Sequence, residues 1–495
     1  MAKIPSKLTK FKNIGLYLSF IGFFSLLIYL IVFFGEKNLE IGRNIVPANF
    51  NSNPWIDFAK SALSNLGSPL TILLIQMTVI MLFSLVFGQI CKLINQPIVI
   101  GEIFSGIILG PSLFGTFFPD LSAKLFPQSS IPILDYFSQV GLILFLFVVG
   151  MELDLKILKN KAQKSIIISH ASIVIPFSLG VALSYFIYTQ LAPNGISFMA
   201  FSLFMGLAMS ITAFPVLARI VQERNISKTS LGTIVITCAA VDDITAWSLL
   251  AGIVVVVKAG SVLSSLFIII LTSLYILIMF KIVRPFLRVL VELDIKQSPD
   301  YLNRSTVSLI FSILIISAIF TEIIGIHVLF GAFIAGIIIP DDTRFKKLFI
   351  AKIEDVALVL LLPIFFIISG LKTEISLLNN LYLWEVTIVI IVLAIAGKFI
   401  GSSLSAKLLN INWKDSLTIG TLMNTRGLIE LVALNIAYDL GIITQEIFSM
   451  MVIMALVTTF MTGPILDLIS RIFKTSAPNL VLDDEKMNVA SGGEN

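Results

Sequence analysis

The chain has 495 residues, of which 57% are hydrophobic and only 13% charged, with a formal net charge of +4. Soluble domains carry about 25% charged residues, so a soluble globular protein is excluded and an all-α polytopic membrane protein is expected, with the lipid bilayer rather than nucleic acid as its surroundings. Cys91 and Cys238 lie far apart inside apolar runs. They offer neither a disulfide framework nor a CxxC metal or redox motif, and each reads as a small buried hydrophobe.

Fourteen apolar segments follow one another, at 13–34, 69–93, 97–116, 131–151, 165–190, 197–222, 230–257, 262–280, 305–324, 326–340, 354–371, 383–408, 415–440 and 445–470. Most approach the roughly 20 residues that a spanning helix needs. The first, flanked by Lys3, Lys7, Lys10 and Lys12, is longer than a signal-peptide core and no small-residue cleavage site follows it, so it is expected to stay as a helix. With that end in the cytoplasm, alternate loops are basic, as in "KILKNKAQK" (156–164) and "RFKKLFIAK" (344–352), while the loop "TQLAPNGIS" (189–197) is uncharged. This alternation predicts both termini inside. The expected division is an extra N-terminal helix and external loop (1–68), a transmembrane domain (69–472) and a short cytoplasmic tail (473–495) with no glycine-rich nucleotide-binding unit.

Charge at the centre of a span costs about 2.5–3.5 kcal/mol per residue on insertion scales and marks function by default. In "ITCAAVDDITAW" (236–247) Asp242 and Asp243 stand side by side near the middle of 230–257, and Lys398 is equally central in 383–408. Arg426, with Glu430 four residues on, lies in "TLMNTRGLIELVALN" (421–435). Opposite charges at i,i+4 can neutralise each other on one helix, so a purely structural pair stays open for Arg426 and Glu430. Two adjacent acids exceed what one lysine can pair. They diverge by about 100° on a helix, so one can face Lys398 while the other faces a cavity. Such an acid takes either a proton or a cation that sheds water onto oxygen ligands, and holding one excludes the other.

The span 197–222 contains "SITAFPVLARI", where Thr212, Ala213 and Phe214 lead into Pro215. A proline inside a helix removes a backbone bond, and freed carbonyls at membrane depth are tolerated only where buried or lining a cavity. The second half of the chain offers a counterpart in Asn424, Thr425 and Gly427. Interrupted segments at matching places in two halves point to an inverted-repeat transporter with its substrate at the midplane.

"PIVIGEIFSGIILGPSLFG" (97–115), "VGMELD" (149–154), "ITAFPVLARI" (211–220), "AAVDDITAW" (239–247), "GIHVLFGAFIAGIIIP" (325–340) and "MNTRGLIELVALNI" (423–436) follow in order. Together they resemble the second branch of the monovalent cation/proton antiporter superfamily, the last three being similar to the plant cation/proton exchangers. The resemblance covers about 69–470. It implies a thirteen-helix antiporter fold with inverted repeats and crossed broken helices, here with one extra N-terminal helix, forming a homodimer. It implies Asp243 as the cation and proton site, with Asp242 as partner acid, Lys398 as its charge partner, Thr212 on the first broken helix, and Asn424 and Arg426 on the second. It further implies alternating-access exchange of Na+ or K+ for protons in a plasma membrane, that of a bacterium, without cofactor or enzymatic activity. The plant exchangers usually carry Asn where this chain has Asp242, and two acids with a lysine imply electrogenic exchange, two protons for one cation. Electroneutral exchange is the alternative, or a channel or sensor that keeps the fold.

An intramembrane aspartyl protease also needs two buried acids, but these must converge from separate helices, and adjacent residues diverge. Glu102 near a span end reads either as part of an access funnel or as a helix-end contact. Glu322 and His327 flank a turn and are expected in a loop role rather than as a pH sensor. His170 is expected to donate a hydrogen bond between helices.

Overall fold

The computed structural model describes residues 7–39, 53–94, 96–152, 162–224, 226, 229–258, 262–297 and 302–473. Lys3, the basic loop over 153–161 and residues 474–495 of the expected tail lie outside the described residues. Every regular element among the described residues is helical. Contacts divide the chain into Met1–Ser68 and Pro69–Asn495.

The first unit holds α1 (Lys7–Leu39) and α2 (Pro54–Leu66). The region read as an external loop thus contains an amphipathic helix, started by Asn53, whose side chain accepts from the Trp55 N–H at 3.2 Å. Its 13 residues are too short to span,, and its polar face kept it from registering as an apolar run.

The second unit begins with α3 (Pro69–Leu93), α4 (Ile98–Leu109), α5 (Ile131–Glu152) and α6 (Ala162–Leu191). A broken pair follows, α7 (Phe198–Ser210) and α8 (Phe214–Glu223), and then α9 (Ser230–Lys258). Next, α10 (Val262–Ile278) runs through a π-helical turn, Met279–Val283, into α11 (Arg284–Gln297). The second series is α12 (Arg304–Ile324), α13 (Val328–Ile337), α14 (Thr343–Glu354) with α15 (Leu362–Lys372), and α16 (Leu381–Ile395) with α17 (Gly401–Leu408). It ends with a second broken pair, α18 (Trp413–Met423) and α19 (Leu428–Asp439), and with α20 (Gln445–Phe460) and α21 (Thr462–Ile472).

Eleven helices among the described residues are long and apolar enough to cross a membrane. The remaining three expected segments are the two broken pairs and the short α13. Two segments run further than expected. The one at 262–280 extends to Lys296, and that at 354–371 begins at Arg344. Their charged ends read as loop, yet charged side chains are good helix formers where the helix leaves the apolar layer.

The two series match element for element, and the single crossing between them inverts the second. Packing repeats in the same way, with α3 on α4 and α12 on α13, then α4 on α15 and α13 on α5. Equivalent glycines mark the latter two contacts: a Cβ at Gly106 would meet Gly370 Cα at 3.0 Å, and one at Gly150 would meet Gly336 Cα at 3.0 Å. Glycine lets these backbones approach where any side chain would hold them apart. In the other bundle α6 packs on α7, α9 and α17, and α18 packs on α17. The two breaks and the central charges belong to this bundle.

Candidate cation site at the helix crossing

Helix α7 stops at Ser210 because Ile211 is extended (φ −70°, ψ 137°). Pro215 is the second residue of α8, where a helix needs no N–H. The proline therefore starts a helix instead of kinking one. In the second break, residues 424–427 join α18 to α19. Its Gly427 admits the first break, since a Cβ there would meet Val216 Cγ2 at 3.0 Å and Ala213 Cβ at 3.3 Å. The breaks bond directly: Ala213 N–H donates to Thr425 O at 3.0 Å, and the Thr212 hydroxyl reaches Met423 O at 3.1 Å.

Arg426 crosses from the second break to the end of α7. Its Nη1 donates to Ala208 O at 2.7 Å and its Nη2 to Met209 O at 2.6 Å. A helix C-terminus leaves its last carbonyls without intrahelical donors and carries partial negative charge, so the guanidinium satisfies both. The expected pair with Glu430 is also present, Nη1 to Oε1 at 3.4 Å, with both side chains fully buried. On α20, Thr459 Oγ1 accepts from Arg426 N at 2.9 Å and donates to Arg426 O at 2.8 Å.

Asp242 and Asp243 lie on α9 and are 1% and 0% exposed. Asp242 is saturated. Ser169 donates to its Oδ1, while Ser172 (2.9 Å), Thr212 (2.6 Å) and Lys398 Nζ (3.2 Å) all donate to its Oδ2. Lys398 also donates to the Thr212 hydroxyl. Asp243 is the reverse: neither carboxylate oxygen has a hydrogen-bond partner among the described residues. The Phe214 N–H at the start of α8 lies beside it without making a bond of good geometry. A helix N-terminus there favours negative charge.

Lys398 sits in a π-helical turn, Ala396–Ile400, between α16 and α17. Such turns re-aim side chains and recur at functional sites. Thr212 and the charge partner Lys398 thus meet at Asp242, while Asn424 and Arg426 lie in the second break, with Glu430 on the helix that follows it. Ser169 and Ser172 escaped the sequence reading, although Ser165, Ser169 and Ser172 recur at i, i+4 and i+7 of an apolar span. That spacing defines one helix face and was the available signal.

The peripheral residues behave more simply. Glu322 Oε2 accepts from Val328 N at 2.9 Å and His327 Nδ1 from Leu329 N at 3.4 Å, both capping the start of α13, as a loop role requires. His170 departs from expectation. It is exposed, and its Nδ1 bonds Ile166 O of its own helix at 2.8 Å, because the polar face of α6 is given to the serines. Glu102 is partly buried. Cys91 and Cys238 are free and buried.

Crossed helix breaks with buried acids beside them define the inverted-repeat secondary transporters. A family model described as sodium/hydrogen exchanger, transmembrane, matches residues 77–471. The chain is 42% identical over 398 residues to the Na+/H+ antiporter NhaS4 of Synechocystis, covering 80% of this chain and 97% of that one. It is 38% identical over 397 residues to cation/H+ antiporter 17 of Arabidopsis thaliana and 36% identical over 415 residues to K+/H+ antiporter 1 of Saccharomyces cerevisiae. These alignments cover 80% and 82% of this chain but only 48% and 47% of the plant and yeast proteins, so the chain spans about half their length. The solved structure of the sodium proton antiporter MjNhaP1 of Methanocaldococcus jannaschii shares the fold, with a TM-score of 0.51, 15% identity, and coverage of 81% of this chain and 99% of that one. The chain belongs to the sodium/hydrogen exchanger family. It is a transporter and not an enzyme.

Proposed function

We propose that this antiporter exchanges Na+ or K+ for protons at Asp243 by alternating access, with Asp242 and Lys398 as the charge-coupled second half of the site. The observation that carries the reading is the Asp243 carboxylate, fully buried beside the crossing, with the Phe214 N–H next to it and neither oxygen hydrogen-bonded among the described residues. Such a group accepts a proton or a dehydrated cation, and each displaces the other. Asp242, Asp243 and Glu430 bring three negative charges to the buried cluster, and Lys398 and Arg426 two positive ones. One added positive charge balances it, whichever ion supplies it.

Two acids with one lysine support an electrogenic cycle, in which the Asp242–Lys398 pair releases a second proton as the cation arrives. Voltage then adds about 2.3 kcal/mol per charge per 100 mV to the driving force. Neutral one-for-one exchange is the second reading, and the hydrogen bonds and the lysine at Asp242 favour it, because they stabilise its charged form.

Alternating access draws support from the bonds at one end of the molecule. Lys372, at the end of α15, donates to Asn435 and Asp439 of α19, each at 3.1 Å. Gln445 donates to Lys372 O at 3.2 Å, and Glu374 N to Ser449 Oγ at 2.9 Å. By the loop charges this is the outer face, and these bonds must part for the crossing to open outward. The working unit is proposed as a homodimer in a bacterial plasma membrane with both termini in the cytoplasm, as the loop charges and the resemblance imply.

Proteoliposomes holding a pH dye test the exchange. Na+ or K+ should drive proton movement that Asp243→Asn abolishes, and an unchanged signal in that variant would remove Asp243 from the site. Repeating the Na+ measurement under a valinomycin-set potential separates electrogenic from neutral exchange.

A further inference from the structure

The turn that joins α18 to α19 holds another buried oxygen without a donor among the described residues. Asn424 is 2% exposed, and its Oδ1 takes no hydrogen bond from the described residues. Both of its chain neighbours are anchored, since Thr212 Oγ1 reaches Met423 O at 3.1 Å and Ala213 N donates to Thr425 O at 3.0 Å. Those anchors belong to the break that leads into Phe214, whose N–H lies beside Asp243. Residue 424 is thereby pinned against the segment adjoining the acid.

Among the described residues the bonds made by Lys398 and Arg426 go elsewhere, and Arg426 Nε is left without a partner. Lys398 donates to Asp242 and Thr212, and Arg426 to Ala208 O, Met209 O and Glu430. A buried acceptor with no donor is unfavourable, and a bound ion or ordered solvent is one of the ways in which such a group is satisfied. A proton on Asp243 supplies a single new donor, whereas its two carboxylate oxygens and the amide oxygen are three acceptors. A monovalent cation needs several oxygens and can take them from both side chains.

We propose that Asn424 Oδ1 is a ligand of the transported cation, supplied from the helix break facing Asp243, and that it sets cation affinity and choice without taking part in proton binding. The inference rests on Asp243 being the cation site.

The test uses the full chain in proteoliposomes, titrating Na+, K+ and Li+ separately at fixed pH, with cation-dependent thermal stabilisation of the purified protein as a readout independent of turnover. Asn424→Ala should raise the half-saturating concentration of the preferred cation about tenfold or more, the factor that accompanies loss of one good contact. It should narrow the preference among the three cations, with the effect on half-saturation larger than that on turnover at saturation, as loss of a binding contact predicts. Asn424→Asp, which keeps an oxygen in place, should bind cation at least as well as the parent.

Unchanged half-saturation and preference in Asn424→Ala would overturn the inference, and so would reduced turnover at unchanged half-saturation, the mark of a structural residue. Where Asn424→Ala does not fold, Asn424→Ser is compared with Asn424→Asp: weaker cation binding in the serine variant, whose oxygen is further back, supports the assignment, and equal binding overturns it. Asp243→Asn run in parallel separates the two claims. If it keeps cation-dependent stabilisation, the reading of Asp243 fails. If it loses it while Asn424→Ala matches the parent, this inference alone fails.

Discussion

On α9 the carboxylate of Asp242 receives bonds from Ser169, Ser172, Thr212 and Lys398, whereas the carboxylate one residue later receives none from the described residues. Both are buried to the same degree, so burial does not separate their roles. The separation comes from the rotation of about 100° per residue on a helix, which turns Asp242 towards α6 and Lys398 and Asp243 towards the break at Phe214. A carboxylate with four donors is part of the frame, and one with none is available to a guest.

The largest effect expected from breaking this comparison is on Asp243. Asp243→Asn should lower exchange on the order of 100-fold or more and leave the bonds around Asp242 in place, so the purified protein should melt near the parent temperature. A variant that still exchanges would show that the unsatisfied acid is idle. Next comes Lys398→Ala, which leaves Asp242 a buried charge without its counter-ion. Breaking a buried pair costs about 3–5 kcal/mol, and adding Asp242→Asn should recover much of it. Equal stability of the single variant and the parent in denaturant titrations would remove Asp242 from the frame.

Ser169→Ala and Ser172→Ala each take one donor from the saturated acid and should cost about 1–3 kcal/mol. Measured against Asp243→Asn, they sharpen the contrast if they lower stability more than cation affinity. The smallest effect belongs to Lys372→Gln at the far end of α15. The side chain of Asp439, its partner, is 51% exposed, and pairs of that kind contribute within about 1 kcal/mol. Its diagnostic is therefore kinetic, a changed initial rate of exchange started from outside with a melting temperature close to the parent's.

Much of this was legible in the chain. Apolar runs marked the spans, because a bilayer imposes its thickness on any helix that crosses it. Asp242, Asp243, Lys398 and Arg426 stood out since charge is rare at that depth. Ser169 and Ser172 did not stand out, since a hydroxyl in an apolar helix more often bonds its own backbone, as Ser178 does to Val174 O at 2.8 Å. The helix α2 stayed hidden for the opposite reason, having too little apolar length to compete with the spans. The carbonyls of Ala208 and Met209 carry no sequence signal at all, because every residue has one.

By itself the sequence determined the membrane class, the order of spans, the two interruptions and the charged residues, all of which follow from local solvation and backbone chemistry. Only the tertiary structure decided which acid is held and which is open, that Arg426 closes the end of α7 as well as pairing with Glu430, and that Asn424 Oδ1 finds no donor among the described residues. Those outcomes depend on which atoms of helices far apart in the chain come within about 3 Å of one another, and only the packing of the two inverted series sets that distance.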